Sequence, residues 1–456
     1  MGVDFRLRDF AYPLSLMRLK RCFDRNQWLD AAGLEQYQVS RLQAVFRAVG
    51  ERVPYLRRIL SSAMISPGGS FCLSDLRRLP LLTKAALRKS RVDFTADNLS
   101  ALGARKAYTS GTGGVPLEFY LDKASNILEF VYYWRFWGWF GYRLGAPFAE
   151  LSAEYFLRRR RLIASVHDYQ RPFGRLLFNA LRLSPQSAPL MAELLRRHRI
   201  RYLKGLPSNV FLLTLFCREQ DVALPRLRAV FTQGEALLPM HRRVIEEAFS
   251  APVFESYGQM ERVAAISQCP RGAYHVHADY GLVEFVENEA SRGVACAPDE
   301  YAAEIVGTSL YNLAMPLVRY ATGDLAILKR EPARCPCGRG FPMVRAVIGR
   351  STDAVLTPDG RAVTAVYTAF EGIPGLLMAQ VLQEELCRLR VRCAVEPGRE
   401  AEVRAALEIA LRRFVGEEMG LDFQFVAPDE LRSGGSGKMQ SVVSFVSRER
   451  FAATGR

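Results

Sequence analysis

The chain has 456 residues, of which 49% are hydrophobic and 24% charged, and this composition excludes an intrinsically disordered chain. The chain is longer than a domain built on a single hydrophobic core usually is, so we expect two or three domains. The net charge is +15, but the 62 Lys and Arg residues are scattered, and we expect no nucleic-acid partner. The densest run, RRRR at Arg158–Arg161, is either a solvated face or a site for a phosphate-bearing ligand or an anionic membrane surface.

The N-terminus, MGVDFRLRDF, has neither the apolar core nor the cleavage site of a signal peptide, so we expect a cytoplasmic protein. The most apolar window, FVYYWRFWGWFGY from Phe130, is shorter than the roughly 20 residues that span a bilayer and contains Arg135. It predicts a core helix whose aromatic residues could also line a pocket. The alternative is a membrane-surface element. We therefore expect no transmembrane segment and at most weak peripheral membrane association.

Apolar runs alternate with helical patterns along the chain, which favours an α/β fold. Buried strands are predicted at LRAVFTQGE near Val230, APVFESYG near Phe254 and YGLVEFVE near Val283. LPMHRRVIEEAFSA has helical spacing, with its Glu and Arg residues turned outward. Beyond VIGRSTDAVLTPDGR the composition changes, and LCRLRVRCAV and AEVRAALEIALRRFVG bring their own strand and helix signals. We place a domain boundary near Gly349 to Asp353, dividing the chain into residues 1–349 and 350–456.

A glycine-rich loop, AYTSGTGGVP, occupies Ala107–Pro116. Glycines let backbone amides converge on one point, and nearby hydroxyls can donate to the same oxygens, so the loop suits phosphate binding. It is not a Walker motif, because the lysine and the spacing are absent. The candidate phosphate-binding residues are Thr109, Ser110, Gly111, Thr112, Gly113 and Gly114.

This loop resembles the phosphate-binding signature of the adenylate-forming enzymes, a superfamily of acyl-CoA ligases, peptide-synthetase adenylation domains and luciferases. Further motifs of that family follow in the same order. TQGEALL resembles the adenine-contacting turn, with Gly234 approaching the base and Glu235 beside it. SYGQMERV resembles the aromatic-Gly-x-Thr-Glu motif, which implies Tyr257 and Gly258 for adenine and Glu261 for magnesium.

Three more motifs complete the resemblance. MPLVRYATGDLA implies Asp324 for the ribose hydroxyls, since a carboxylate can accept from two donors. IGRSTD resembles the hinge signature, with Arg350 placed for ATP phosphate. SGGSGKMQSV resembles the loop with the catalytic lysine, and so implies that Lys438 meets the charge that develops during adenylation. Val115, Met260 and Thr352 depart from the family pattern, and these departures put one phosphate contact and the hinge pivot in doubt.

The resemblance covers essentially the whole chain and is nearest to the phenylacetate-CoA ligase-like branch, especially members associated with capsular and extracellular polysaccharide. YLKGLPSNVFLL, GTSLYNLAMPLVRYATGD and CPCGRGFP carry it. It implies a large N-terminal domain and a mobile α+β C-terminal lid. It also implies ATP- and magnesium-dependent adenylation of a carboxylic acid, release of pyrophosphate and transfer to coenzyme A. Transfer to an amine, a hydroxyl or a carrier protein stays open, as does a catalytically weak nucleotide-binding role. The acid, which could be aryl or short acyl, and the oligomeric state cannot be deduced from the sequence.

The nine cysteines in a long chain without a secretory signal argue against a disulfide framework. QCPRGAYHVH contains Cys269 and His275, and RCPCGRG contains Cys335 and Cys337. Three sulfurs and one nitrogen suit tetrahedral zinc, so we predict a structural zinc site with His277 as the competing nitrogen ligand. The alternative is that these groups are ordinary thiols and a hydrogen-bonded histidine.

Overall fold

The structure is a computed structural model. It describes residues 13–108, 117–294, 296–350, 355–359, 362–363, 366–431 and 439–446. The residues of the predicted phosphate loop, Thr109 to Gly114, lie outside these ranges, as do Val115, Thr352, Lys438 and the side chain of Arg350.

Twelve α-helices lie among the described residues, eleven before residue 300 and one near the C-terminal sheet. They are α1 (Pro13–Asn26), α2 (Ala31–Val49), α3 (Pro54–Ser62), α4 (Leu73–Leu76), α5 (Lys84–Lys89), α6 (Lys123–Gly138), α7 (Glu154–Leu157), α8 (Ala188–Arg197), α9 (Pro207–Glu219), α10 (Pro239–Phe249), α11 (Glu289–Arg292) and α12 (Glu400–Val415). None of the helices in the described ranges combines the length and the apolar character needed to cross a bilayer.

The strands of the described residues alternate with these helices. They are β1 (Arg105–Tyr108), β2 (Glu118–Leu121), β3 (Phe148–Ser152), β4 (His167–Gln170), β5 (Arg175–Asn179), β6 (Tyr202–Gly205), β7 (Ala229–Gln233), β8 (Val253–Gly258), β9 (Ala265–Gln268), β10 (Tyr274–Val276), β11 (Gly281–Val286), β12 (Glu300–Ser309), β13 (Tyr320–Lys329), β14 (Met343–Val344), β15 (Ala346–Arg350), β16 (Val355–Leu356), β17 (Ala362–Val363), β18 (Leu376–Glu385), β19 (Arg388–Val395), β20 (Gly420–Phe425) and β21 (Val442–Ser444). The predicted α/β class is confirmed.

The largest sheet has nine strands in the order β14-β10-β9-β8-β7-β6-β3-β5-β4. Its centre, from β5 through β3, β6 and β7 to β8, is parallel, and the outer strands run antiparallel. The parallel units β6-α9-β7-α10-β8 bring the carboxyl ends of three strands to one edge of the sheet. We call this the carboxyl edge, and we call the opposite ends of β6, β7 and β8 the amino edge. In open α/β sheets, ligands bind beyond the carboxyl ends.

Two smaller sheets follow. β11, β12, β13 and β15 form an antiparallel sheet, and β20, β19, β18 and β21 form a mixed one. The C-terminal mixed sheet has its own hydrophobic cluster with α12, including Val381, Val391 and Leu407. Met378 and Met439 pack instead into the cluster beneath the large sheet.

The aromatic window from Phe130 supplies the C-terminal half of α6, which ends at Gly138, and this confirms the predicted core helix. Tyr132, Tyr133 and Phe136 are buried there in the main hydrophobic cluster. Burial on nearly every side explains why the helix lacks a polar face. β7, β8, β11 and α10 also lie where the sequence predicts them.

Candidate active site

The turn after β7 contains Gly234, whose φ is +83°. An L-residue is strained at this φ, and an added Cβ would lie 3.2 Å from Leu206 Cδ2. The backbone of this turn therefore comes close to the segment that leads into α9. Gly234 holds the carboxyl edge in a shape that a side chain would disturb.

Glu235 joins three parts of the molecule. Its Oε2 accepts from the backbone N–H of Ser208 at 3.1 Å, in the first turn of α9. Its Oε1 accepts from the backbone N–H of Met439 at 2.6 Å. Met439 follows Lys438 in the sequence, so this carboxylate ties the start of the C-terminal strand segment to the carboxyl edge. The sequence predicted Glu235 only as a nucleotide contact, and no local pattern signalled this junction.

Tyr257 and Asp324 meet although they lie 67 positions apart. The Tyr257 hydroxyl donates to Asp324 Oδ2 at 2.7 Å, and Gln259 Nε2 donates to that hydroxyl at 3.3 Å. Burial and the Asp324 carboxylate raise the pKa of Tyr257 well above its ordinary value, so the phenol stays a proton donor. Asp324 is only half-buried, so solvent can reach part of its carboxylate.

Asp324 is also the residue opposite Arg350 in the β13–β15 ladder. Its own N–H donates to Thr322 Oγ1 at 3.0 Å, which fixes the backbone just before the carboxylate. Asp324 and Arg350, which are predicted to bind the nucleotide and come from different motifs, are thus cross-strand partners.

Glu261 follows β8 and is buried. Its Oε1 accepts from the Tyr320 hydroxyl at 2.9 Å, and Tyr320 lies on β13, as Asp324 does. Met260, at the position where the family has threonine, packs partly buried against the main hydrophobic cluster. A carboxylate held by one hydroxyl suits a hard divalent cation such as magnesium.

The two strands that flank the predicted phosphate loop pair with each other. Tyr108 on β1 lies opposite Glu118 on β2, so the antiparallel pair brings together the residues that flank the loop.

The predicted metal ligands Cys269, His275, Cys335 and Cys337 form one cluster, with their ligand atoms all within 4.8 Å of one another. Cys269 Sγ lies 3.7 Å from Cys335 Sγ, and Cys337 Sγ lies 3.3 Å from His275 Nε2. Two sulfurs bound to one tetrahedral zinc at about 2.3 Å would lie about 3.8 Å apart, whereas a disulfide needs about 2.0 Å. The donor set and its spacing fit zinc.

His277 takes part in a different network. Its Nδ1 lies 2.6 Å from Arg135 Nη2, and its Nε2 lies 2.5 Å from Ser267 Oγ. Because arginine only donates, Nδ1 is the acceptor and Nε2 carries the proton. Both ring nitrogens are engaged, so the structure selects His275 as the nitrogen of the cluster. Burial lowers the pKa of His275 to about 4, which keeps it neutral, as a metal ligand must be.

The loop that contains Cys335 and Cys337 also contacts the segment between α1 and α2 and the residue after α6. Arg339 Nε donates to Gln27 Oε1 at 3.2 Å, and Arg339 Cζ lies 4.1 Å from the centroid of the Trp139 ring. The N–H of Gly340 donates to the Gln27 carbonyl, and a Cβ at Gly340 would lie 1.7 Å from Leu29 O. The cluster therefore lies where three segments distant in sequence meet.

No protein-family model matches the chain. Its fold is similar to that of 2-hydroxyisobutyryl-CoA ligase in the postadenylation state with 2-HIB-AMP, with a TM-score of 0.68 and 21% identity over 94% of this chain and 93% of that one. The thioesterification state of the same ligase, with 2-HIB-AMP and CoA, gives a TM-score of 0.57 at 19% identity, over 94% of each chain. The adenylate-forming fold predicted for this chain is confirmed.

Two proteins of known name are similar to this chain in sequence over most of its length. The phenylacetate-coenzyme A ligase of Thermus thermophilus is 26% identical over 409 residues, which cover 85% of this chain and 84% of the relative. Protein CapK of Staphylococcus aureus is 20% identical over 442 residues, 95% of this chain and 92% of the relative. The predicted resemblance to the phenylacetate-CoA ligase-like branch of the adenylate-forming superfamily is confirmed.

Proposed function

We propose that the chain is an AMP-forming acid–thiol ligase. It adenylates a carboxylic acid with ATP, releases pyrophosphate and transfers the acyl group to coenzyme A. The hydrogen bond between Tyr257 and Asp324 carries the proposal. It joins residues of two separate predicted nucleotide motifs beside the carboxyl edge, and ligands of open α/β sheets generally bind at that edge.

In the first step, a carboxylate oxygen attacks the α-phosphorus of ATP and the bond to pyrophosphate breaks. Asp324 accepts from the ribose hydroxyls, and Tyr257 holds that carboxylate in place while stacking its ring on the adenine. The Gly234 turn and the loop Thr109 to Gly114 supply backbone amides and hydroxyls. Lys438 and Arg350 supply positive charge as negative charge develops. Magnesium held by Glu261 would neutralise phosphate charge.

In the second step, the coenzyme A thiol loses its proton and its sulfur attacks the acyl carbonyl; the bond between the acyl carbon and the phosphate oxygen breaks, and AMP leaves. The lid, residues 350–456, rotates on the domain 1–349 between the two steps, and closure excludes water from the intermediate. The higher TM-score against the postadenylation state supports a lid position nearer to that of the first step. The link from Glu235 to Met439 supports the same position.

Carboxylate-dependent ATP–pyrophosphate exchange tests the first step. Aryl, short acyl and hydroxy acids are compared without any thiol, using wild type, Lys438→Ala and the matched variant Lys89→Ala, whose lysine is exposed on α5. We expect exchange that persists in Lys89→Ala and falls at least about 100-fold in Lys438→Ala, as when a transition-state charge contact is removed. ATP binding without exchange for any acid would favour the weak nucleotide-binding role.

The acceptor is tested separately. The acid that supports exchange is incubated with coenzyme A, an amine, a hydroxyl compound or a carrier protein, and the acylated product is measured. Only coenzyme A should give rapid product. Rapid product with another acceptor would keep the adenylation and replace the second step. A place for this reaction in a surface polysaccharide pathway rests on the motif resemblance.

A structural zinc ion bound by Cys269, His275, Cys335 and Cys337 is the second proposal. All four positions are then occupied by protein, so the metal pins loops together and leaves no open site for catalysis. Elemental analysis should find about one zinc per chain. Cys335→Ala should lose it, whereas Cys387→Ala, an exposed thiol far from the cluster in sequence, should retain it. Zinc-free wild-type protein with full activity would contradict this proposal.

A further inference from the structure

The amino edge of the large sheet contains a cavity of about 480 Å³, on the side opposite the nucleotide residues. Its lining includes Arg201, Arg226, Arg228 and Ser250. Arg201 directly precedes β6 and Arg228 directly precedes β7, while Ser250 ends α10. Three guanidinium groups and one hydroxyl therefore surround a single opening.

The register of the sheet forces two of these arginines together. Tyr202 lies opposite Ala229, so the preceding residues, Arg201 and Arg228, are neighbours on adjacent parallel strands. The Arg228 N–H donates to the Arg201 carbonyl at 2.7 Å. Like charges on directly opposite residues destabilise a sheet. The edge therefore carries an unfavourable charge concentration that the fold itself does not relieve.

No carboxylate balances this charge among the described residues. All three arginines are exposed, and no described hydrogen bond or ion pair engages their side chains. The Ser250 hydroxyl likewise has no described partner. Arginine presents planar donors that match phosphate oxygens, and a hydroxyl adds another donor.

A second cavity, of about 500 Å³, provides a contrast. Two of the cations that line it have partners within the protein. Lys20 Nζ lies 2.5 Å from Asp24 Oδ2, and Arg339 donates a hydrogen bond to Gln27. A third cation in the lining, Arg135, pairs with the Asp279 carboxylate at 2.6 Å. The amino edge differs because its positive charge has no described protein partner.

We propose that the amino-edge cavity is a binding site for a phosphate-bearing anion, distinct from the nucleotide site. The anion accepts from the guanidinium groups of Arg201, Arg226 and Arg228 and from Ser250, and it relieves the repulsion between the arginines. This proposal does not rest on the ligase activity, because its residues lie at the opposite edge of the sheet.

Titration calorimetry with inorganic phosphate at constant ionic strength tests the site. The variant Arg201→Gln/Arg226→Gln/Arg228→Gln is compared with the matched variant Arg47→Gln/Arg57→Gln/Arg413→Gln, which removes the same charge from three helices. Phosphate binding at the nucleotide site is common to both. We expect affinity at the amino edge to fall about fivefold for each arginine replaced there, and to stay unchanged in the control.

The thermal midpoint in low salt separates this proposal from a purely structural role. Cations near the end of α10 could instead serve the helix dipole. If the arginines bind an anion, the triple variant should be at least as stable as wild type without phosphate and should lose the stabilisation by phosphate. A destabilised variant whose phosphate response equals that of wild type would overturn the proposal.

Vesicles identify the source of the phosphate. Co-sedimentation is compared on phosphatidylcholine with and without phosphatidylglycerol. Retention on the anionic vesicles that requires the three arginines indicates a lipid head group, and binding of free phosphate alone indicates a soluble ligand. Equal behaviour of the triple variant and the control in both assays would overturn the proposal.

Discussion

The two edges of the large sheet differ in whether their charged side chains have partners within the protein. At the carboxyl edge, Glu235 accepts from two backbone amides, and Asp324 accepts from the Tyr257 hydroxyl. At the amino edge, Arg201 and Arg228 lie side by side without a described partner. Contacts within the protein hold the acidic groups of the carboxyl edge, whereas no described carboxylate pairs with the arginines of the amino edge. Substitutions at the first should therefore change catalysis, and those at the second should change anion binding.

The largest effect is expected from Asp324→Asn. The amide can still accept from Tyr257 but has no charge for the ribose hydroxyls, so two charge-assisted hydrogen bonds weaken. We expect kcat/KM for ATP in the exchange assay to fall about 100-fold. Asp299→Asn, at an exposed carboxylate paired with Lys329, is the control. A loss of less than about twofold would remove Asp324 from the nucleotide site and with it the contrast between the edges.

Cys335→Ala should disturb the β9–β10 hairpin, because the cluster joins this hairpin, beside the amino end of β8, to the loop that contains Cys335 and Cys337. We expect the thermal midpoint to fall by about 5 °C or more. Hydrogen exchange should accelerate in β9 and β10 but not at the amino ends of β6 and β7. Uniform acceleration over the whole sheet would mean that the cluster stabilises the fold generally.

Glu235→Ala leaves the amides of Ser208 and Met439 without their acceptor. We expect an overall loss of about 1–3 kcal/mol in the free energy of unfolding, the range for a partly buried unsatisfied donor. The rate of ATP–pyrophosphate exchange should fall more than the affinity for ATP, because Met439 is next to Lys438 in the sequence. Glu247→Ala, exposed at the end of the neighbouring helix α10, is the control. Equal losses in rate and affinity would assign Glu235 to nucleotide binding alone.

Because of His241 on α10, we expect the stability of the folded protein to depend on pH. It is buried, its ring is stacked on Phe211, and its Nε2 lies 3.0 Å from the Leu377 carbonyl on β18. Burial lowers its pKa to about 4, below the 6.5 expected of an unfolded chain. Between these values the unfolded state binds the extra proton, so stability falls as pH falls from 6.5 towards 4.

At pH 5 this histidine should lower the free energy of unfolding by about 2 kcal/mol relative to pH 7. Urea denaturation at both pH values should show that His241→Gln reduces the pH dependence by this amount. His198→Gln, at a half-buried position, should change it less. An unchanged dependence in His241→Gln would mean that the contact between α10 and β18 opens without protonation.

Much of this molecule could be predicted from its sequence. Hydrophobic patterning located β7, β8, α6 and α10, because a buried strand or helix needs an apolar run of the right length. Motif order predicted Tyr257 and Asp324, whose contact the structure shows. Residue chemistry predicted the cysteine and histidine cluster, because few arrangements other than a metal site need three sulfurs and a nitrogen.

Other features depend on tertiary structure. Choosing His275 over His277 required Arg135 and Ser267, which approach from distant segments. The junction at Glu235 required the C-terminal residues to reach the carboxyl edge, and the arginine neighbours at the amino edge required the β6–β7 register. The sequence alone determined which groups were available, because composition and local periodicity are properties of the chain. Only the folded structure decided which of them meet, because long-range packing sets those distances.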